Sequence, residues 1–478
     1  MECCHIMKIK LFLFGVLLSF SALFGQKATI DLNDAIKIAL QNNREIEIAK
    51  MDVNKADAAV SEAFGYALPS VDFTAGFTHF LQKPQTSFPD FGAMLNNSTY
   101  SVLFDENIIP RDNNKFLPMD FKLQTFAQSN NYETKIQVTQ ILFNSAVFTG
   151  IGASKIYRDL AVQSLKNTIA KTVLDIKKAY YGVLLTRDLY TIAKTRFDNA
   201  NAHLNNIKAM RKQGLVSEYA EMQVEVQVEN IRPLLIQLEN ANTDATNGLK
   251  ILLNIPQENQ IDLTGKMVYE DEVLPNESEL IAEAKSYNLN LKALKIKNQL
   301  DDEFASINRG EYWPTIAAFG NYTYAGSSED WNFNNYSSSI VGLNFSINLF
   351  QGGRTKNKVQ QDIIVSKQTG EQIKSLTNAT EMQVKSKLND LNRVKKQIDA
   401  MQRNISLAER AYEIAENRFK EGEGSELEVK DADVSLSEAK INYTNAVHDF
   451  LVAKATLYNL IGRVDEQYYS YVSDYLED

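Results

Sequence analysis

Glu428 and Asp431 stand three residues apart in a helical pattern, one turn past the motif Gly422-Glu423-Gly424-Ser425, so their carboxylates share one helical face. Such a pair, repeated around a narrow opening, favours cations and holds divalent ions. It equally suits a solvated helix start, where the macrodipole favours acids. A second turn, Gly214-Leu215-Val216-Ser217, precedes another helical pattern. In both turns glycine ends one helix in a left-handed conformation and serine caps the next, and Ser425 with Glu428 fits a capping box. Catalytic groupings are not expected. His79, His203 and His448 are far apart, the only cysteines are Cys3 and Cys4, and the sequence has no nucleophile elbow or phosphate loop. The ten methionines are too scattered for a soft-metal relay, so no enzyme, cofactor or metal site is expected.

These turns belong to a chain that repeats itself with a period near 207 residues. "LPSVDFTAGFTH" from Leu68 is echoed by "WPTIAAFGNYTY" from Trp313, and "TQILFNS" around Phe143 by "SINLFQGG" around Phe350. "KQGLVSEYAEMQVEV" around Gly214 is echoed by "KEGEGSELEVKDADV" around Gly422, and "LKILLNI" by "ATLYNLI". The first echo is offset by 245 residues, which one insertion of about 38 residues in the first copy explains. It falls in the polar stretch 83–131, where Pro84, Pro89, Pro110 and Pro118 predict a long loop. The copies are expected at 26–256 and 257–462, after a leader at 1–25 and before a C-terminal tail at 463–478.

Each copy reads as helix, strand, loop, strand, long helix, turn, helix. Val71, Phe73, Ala75 and Phe77 alternate with polar or small residues, as do Ile136 and Val138; Val341, Leu343, Phe345, Ile347 and Leu349 give the cleanest alternation. Segments of about ten such residues suit tilted strands crossing a bilayer, and they also suit a half-buried soluble sheet. From Ala146 to Gln213 and from Arg354 to Glu421 the helical pattern is unbroken for 68 residues, about 100 Å of helix. Leu391, Val394, Ile398, Met401, Ile405, Ala408, Tyr412 and Ala415 step alternately by three and four, a coiled-coil seam. Shorter helices are expected at Leu32 to Phe64, Glu218 to Leu253, Glu277 to Asn308 and Glu426 to Leu460. Stacked end to end in pairs, they would match the long rods in length. Pro69 and Pro314 mark helix-to-strand junctions, and Gly352-Gly353 a sharp strand-to-helix turn for which the first copy uses Asn144-Ser145. A kink is expected at Pro233, and Tyr66, Tyr312 and Trp313, beside the junctions, suit membrane-interface anchors and ordinary packing equally.

Composition narrows the class. The chain has 478 residues, a net charge of -10 with interspersed signs, and no like-charge block, so a nucleic-acid partner is not expected. Lys8 and Lys10 followed by the apolar run Leu11 to Phe24 read as a secretory signal peptide, too short to span a membrane. Cleavage near Gly25 would leave no cysteine, so neither a disulfide nor a lipid anchor is expected. No later segment holds 18 uninterrupted apolar residues, so membrane insertion would require a β-barrel. Four strands per chain cannot close one, and closure is expected from association: a dimer would give eight strands and a trimer twelve, and the many helices that must continue the wall favour the larger ring.

The chain resembles the TolC-like outer-membrane efflux family over nearly its whole mature length. The resemblance is carried by "TIDLNDAIKIALQNN" from Thr29, "ALPSV" from Ala67, "NLFQGGR" from Asn348 and "RFKEGEGSELEVKDA" from Arg418. It implies a mainly α fold with a membrane β-barrel, in which a homotrimer forms a twelve-stranded barrel continued by a long α-helical periplasmic barrel. It also implies a passive exit duct in the Gram-negative outer membrane, coupled through a periplasmic adaptor (membrane fusion) protein to an inner-membrane pump such as an RND or ABC transporter, for efflux or type I secretion. By resemblance, Glu428 and Asp431 line the periplasmic entrance. The tips Gly214, Leu215, Val216, Ser217, Gly422, Glu423, Gly424 and Ser425, with Arg418 before the second, face the adaptor. The copies depart from each other here: aligned on the glycines, Met210 stands for Arg418 with Arg211 beside it, and Ala220 for Glu428 with Glu221 adjacent, so the acidic ring is expected to be less complete in the first copy. A periplasmic adaptor would instead show one hairpin between glycine-rich β-modules, and a coiled-coil scaffold would leave the strands unexplained.

Overall fold

The computed structural model describes residues 28–273 and 275–475; the expected leader, with Cys3 and Cys4, lies outside them. The chain divides into a helical unit, the described residues of 1–60, 153–304 and 361–478, and a sheet unit, 61–152 and 305–360.

In the helical unit, α1 (Leu32–Asn42) and α2 (Arg44–Gly65) replace the single helix expected over this stretch. Asn43 breaks it. Its backbone is extended (φ -67°, ψ 130°), and its side-chain oxygen accepts from the amides of Glu45 (2.8 Å) and Ile46 (3.3 Å), capping α2. The long helix α4 (Ser145–Lys212) has 68 residues and is followed by α5 (Glu218–Leu253). Pro233 lies inside α5, which continues past it. In the second copy, α6 (Glu277–Tyr287) and α7 (Leu289–Arg309) are again separated by a capping asparagine, Asn288, whose oxygen accepts from Leu291 N at 3.0 Å. The long helix α8 (Arg354–Lys420) and the shorter α9 (Glu426–Leu460) complete the unit.

The two breaks also define the stacking. Asn43 Nδ2 donates to the Leu252 carbonyl (3.1 Å) at the end of α5, and Asn288 Nδ2 donates to Leu460 O (2.8 Å) at the end of α9. Each composite rod is thus α5 followed by α2, or α9 followed by α7. The elements α1 and α6 turn aside, so each composite rod is shorter than the two full helices expected in it. Three apolar clusters hold the rods together. One joins Ile36, Ile46, Leu165, Ile176 and Leu249 with Tyr468 and Val472 of the 3₁₀ segment Glu466–Tyr475, so the described part of the expected tail is packed into the core. The second joins Leu280, Val384, Leu391, Ile398 and Phe450. Along α8 the seam is as the spacing predicts: Leu391, Val394, Ile398 and Ala415 are buried and Met401, Ile405, Ala408 and Tyr412 half-buried. A small parallel pair, β1 (Ala28–Ile30) with β6 (Ile261–Leu263), is fastened by Arg187, which donates to the carbonyls of Leu263 (2.7 Å) and Gly265 (2.8 Å).

In the sheet unit, β2 (Ser70–His79), β5 (Asn130–Phe143), β7 (Thr315–Ser328) and β8 (Asn334–Ser346) form one antiparallel sheet in the order β2-β5-β7-β8. The alternation in β8 ends at Phe345, because Ile347 to Phe350 leave the ladder for the turn into α8. That turn uses left-handed Gly352 (φ 62°) and Gly353 (φ 76°), whereas Asn144 caps α4 through its side chain at 3.1 Å from Val147 N. The stretch 83–131 is not a bare loop. It holds β3 (Thr86–Pro89) paired with β4 (Phe121–Gln124), the helix α3 (Phe91–Asp105) and a 3₁₀ turn, Asn113–Lys115. The prolines bound these elements instead of dissolving them: the run between Pro89 and Pro110 is proline-free, and Asp90 caps α3 by accepting from Gly92 (3.0 Å) and Ala93 (3.3 Å).

The register gives the sheet two unlike faces. Val71 pairs with Val138, Phe73 with Ile136 and Phe77 with Tyr132, and the same face continues through Tyr322, Tyr324, Val341, Leu343 and Phe345. The charged residues of these strands, Asp72, Glu133 and Lys135, all lie on the opposite face with Thr74, Gln137, Asn321 and Thr323.

Candidate functional site

The two hairpins, α4-α5 and α8-α9, end in tips built as the sequence predicts. Gly214 (φ 73°) and Gly422 (φ 77°) are left-handed, and the carbonyls ahead of them are closed by Leu215 N to Met210 O (3.0 Å) and Glu423 N to Arg418 O (2.9 Å). Ser217 accepts from Ala220 N (3.2 Å) and Ser425 from Glu428 N (3.3 Å), starting the return helices. Val216 packs against the cluster below the first tip, while Leu215 is exposed. Gly424 has no spare room: a Cβ there would stand 3.1 Å from Arg418 Cβ and from Phe419 N.

The capping box is only half made. The Glu428 carboxylate does not return to Ser425; it takes Arg418 from the opposite arm, Nη1 to Oε2 at 3.2 Å, while Arg418 Nη2 donates to Glu423 O at 3.1 Å. In the first tip Arg211 plays this part, bonding Glu221 Oε2 at 2.7 Å and lying 3.3 Å from Glu218 Oε1. That contact holds the Arg211 guanidinium above its ordinary pKa. The expected equivalence of Met210 with Arg418 and of Ala220 with Glu428 is therefore corrected: the working counterparts are Arg211 and Glu221, one residue along. The sequence comparison, anchored on the glycines, places Arg211 and Glu221 one residue beside the equivalent positions and not on them. The shared signal is an arginine ten residues before a glutamate in both copies.

Asp431 has no ion-pair partner among the described residues. Between the two tips lies a cavity of about 460 Å³ lined on α5 by Tyr219, Met222, Gln223 and Val226 and on α9 by Glu426, Leu427 and Lys430. Tyr219, Met222, Val226 and Leu427 are all exposed, and burial pushes the Glu426 carboxyl up, against the Lys430 ammonium. This groove has no signature in spacing, since each wall comes from a different repeat.

Two further contacts clasp the hairpins together behind the tips. Arg196 on α4 bonds the buried Asp433 on α9, Nε to Oδ2 at 3.1 Å; burial raises the Asp433 pKa even so. Phe419 on α8 meets the His203 ring on α4 edge to face at 5.1 Å and joins Ala200, Leu204, Ile207, Val224, Val228 and Ile231. Burial lowers the His203 pKa, with Glu416 opposing it, and its Nε2 is buried with no partner. In the sheet unit Pro69 and Pro314 precede β2 and β7 as expected, and Tyr66, Tyr312 and Trp313 beside them are exposed. Among the described residues no group of His, Cys, Asp and Glu could hold a metal ion, and no helix is long and apolar enough to cross a membrane.

A family model described as outer membrane efflux protein matches residues 35–254 and 280–463. Outer membrane protein TolC of Salmonella enteritidis is 22% identical over 290 residues, 58% of each chain, so the match spans little more than half of that relative. TolC of Escherichia coli K12 is 21% identical over 353 residues, 71% of each. Among solved structures, a membrane protein of Pseudomonas aeruginosa has a TM-score of 0.70 at 15% identity, covering 91% of both chains. The outer membrane protein VceC of Vibrio cholerae has 0.67 at 14%, covering 90% of this chain and 96% of the other. At these identities the structural likeness establishes the fold, and the family match runs through both hairpins. The chain is an outer-membrane protein and belongs to the outer membrane efflux protein family.

Proposed function

We propose that the chain is one subunit of a homotrimeric conduit, a passive exit duct of a tripartite efflux or type I secretion system. The observation that carries this reading is the sheet. It has four strands, one apolar exposed face and one face bearing every charged strand residue, with β2 and β8 left as open edges. Open edges are not tolerated in lipid, whereas an antiparallel sheet continued from copy to copy closes without edges. Three copies give twelve strands, with the apolar face to outer-membrane lipid and Asp72, Glu133 and Lys135 to the lumen.

The helical unit extends into the periplasm, where Glu428 and Asp431 belong to the entrance. The tips at Gly214 to Ser217 and Gly422 to Ser425 meet a periplasmic adaptor, which links the duct to an inner-membrane pump of the RND or ABC class. The exposed apolar residues around the tips, Leu215, Tyr219, Met222 and Leu427, support this docking role. Fractionation tests the reading: heat-sensitive trimers in the outer membrane are expected, and a chain found only as a soluble monomer overturns it.

A further inference from the structure

The two tips differ in charge although each carries an arginine clamp. In 208–225 the bases Lys208, Arg211 and Lys212 balance the acids Glu218, Glu221 and Glu225. Each of these acids is paired, Glu218 and Glu221 with Arg211 and Glu225 with Lys208 at 3.6 Å. In 418–431 the bases Arg418, Lys420 and Lys430 face five acids, Glu421, Glu423, Glu426, Glu428 and Asp431. Lys420 is drawn away to Glu416 at 2.7 Å, and Arg418 is held to Glu428. Both clamps bridge the arms of their own hairpin over ten residues. Yet the arginine stands three residues before Gly214 in one tip and four before Gly422 in the other. The same pairing thus arises from two different placements around the turn.

We infer that Arg418 is a charge-setting counter-ion of the entrance: it neutralises Glu428 and holds it against its own hairpin, so that the net charge of the mouth is carried by the acids that make no ion pair, Asp431 among them. The inference rests on the reading of the tips as a channel mouth. Arg418 and Glu428 are each about half exposed (50% and 49%), a setting in which an ion pair contributes little to fold stability. Its local field is a different matter. A carboxylate with a guanidinium at hydrogen-bond distance presents little net charge to an ion passing along the mouth, whereas an unpaired carboxylate presents a full one. The first tip, with its acids paired, adds little to the selectivity.

The test is the reversal potential of the full-length protein in planar bilayers under a potassium chloride gradient. Arg418→Gln should raise the cation-to-anion permeability ratio roughly twofold, because Glu428 is released. Glu428→Gln should lower it by a similar factor, because Arg418 is left unbalanced. The double swap Arg418→Glu with Glu428→Arg should return the wild-type ratio, and a purely structural pair would not give single variants of opposite sign. Asp431→Asn serves as the control for the mouth itself. If Asp431→Asn lowers the ratio while Arg418→Gln leaves it unchanged, the counter-ion role is overturned. If none of the four variants moves the ratio, the reading of the tips as an ion-selective mouth fails.

Discussion

The side-chain amide of Asn43 donates to the carbonyl of Leu252 at 3.1 Å while its oxygen caps α2, so one residue ends a helix, starts the next and fixes both to the end of α5. Asn288, 245 residues later, does the same for α7 and α9 through Leu460 O. Asn43→Ala and Asn288→Ala should each cost about 1–2 kcal/mol, from a lost cap and an orphaned carbonyl. The cost should be greater at Asn288, which is buried. Asn288→Asp keeps the cap acceptor but sets a carboxylate against Leu460 O, and should be no better than alanine. Thermal unfolding followed by helical circular dichroism reads this; equal stability of all variants would mean the breaks are fixed by packing alone.

His203 gives a pH dependence of definite sign. Its folded pKa lies below the ordinary 6.5 because burial against Phe419 penalises the charged form. Its contribution to stability is therefore complete above the unfolded value and is lost as pH falls through the lowered folded value. His203→Leu should remove that part of the acid loss. It should also stabilise the neutral protein by about 1 kcal/mol, since Nε2 has no partner to lose. Unfolding temperatures measured from pH 7 downward check both. A variant with the wild-type slope would assign the acid sensitivity to other groups; the buried Asp433, whose pKa is raised, has the opposite sign and would not be one of them.

At the tips, Leu215→Asp and Glu423→Lys alter exposed side chains that neither cap requires; Glu423 serves Arg418 through its backbone carbonyl. Both variants should reach the outer membrane in normal amounts and fail to transport, with suppressors in the adaptor's hairpin. Normal transport in both would move the docking surface up the helical wall.

Replacing Glu428 and Asp431 together by Gln and Asn should raise single-channel conductance and weaken block by divalent and trivalent cations. Unchanged conductance and block would reduce the two acids to an arginine's partner and a solvated helix face.

Much of this was legible in the sequence because long-range order along one element is written locally. Proline-free stretches gave α4 and α8 their lengths within a residue or two, and alternation gave the strands. What was illegible depends on partners distant in sequence. Nothing in "LQNNREIE" announces a break at Asn43, since asparagine is tolerated in helices until a carbonyl such as Leu252 O offers it a better bond. The proline count in 83–131 argued for a loop, but proline penalises the interior of the element that contains it, and α3 lies between prolines. At the tips, Ser425 and Glu428 have the spacing of a capping box, and only the opposite arm reveals that Arg418 takes the carboxylate. The one-residue slip that makes Arg211 and Glu221 its counterparts is likewise invisible until the two arms are paired.

The central claim, that four strands with open edges close by association, is tested most directly by cross-linking the full-length protein extracted from outer membranes in mild detergent. The ladder should saturate at three subunits, and boiling the protein that has not been cross-linked should return the monomer. A protein that stays monomeric and well folded in lipid, or a ladder that saturates at two, would contradict the twelve-stranded barrel and the conduit built on it.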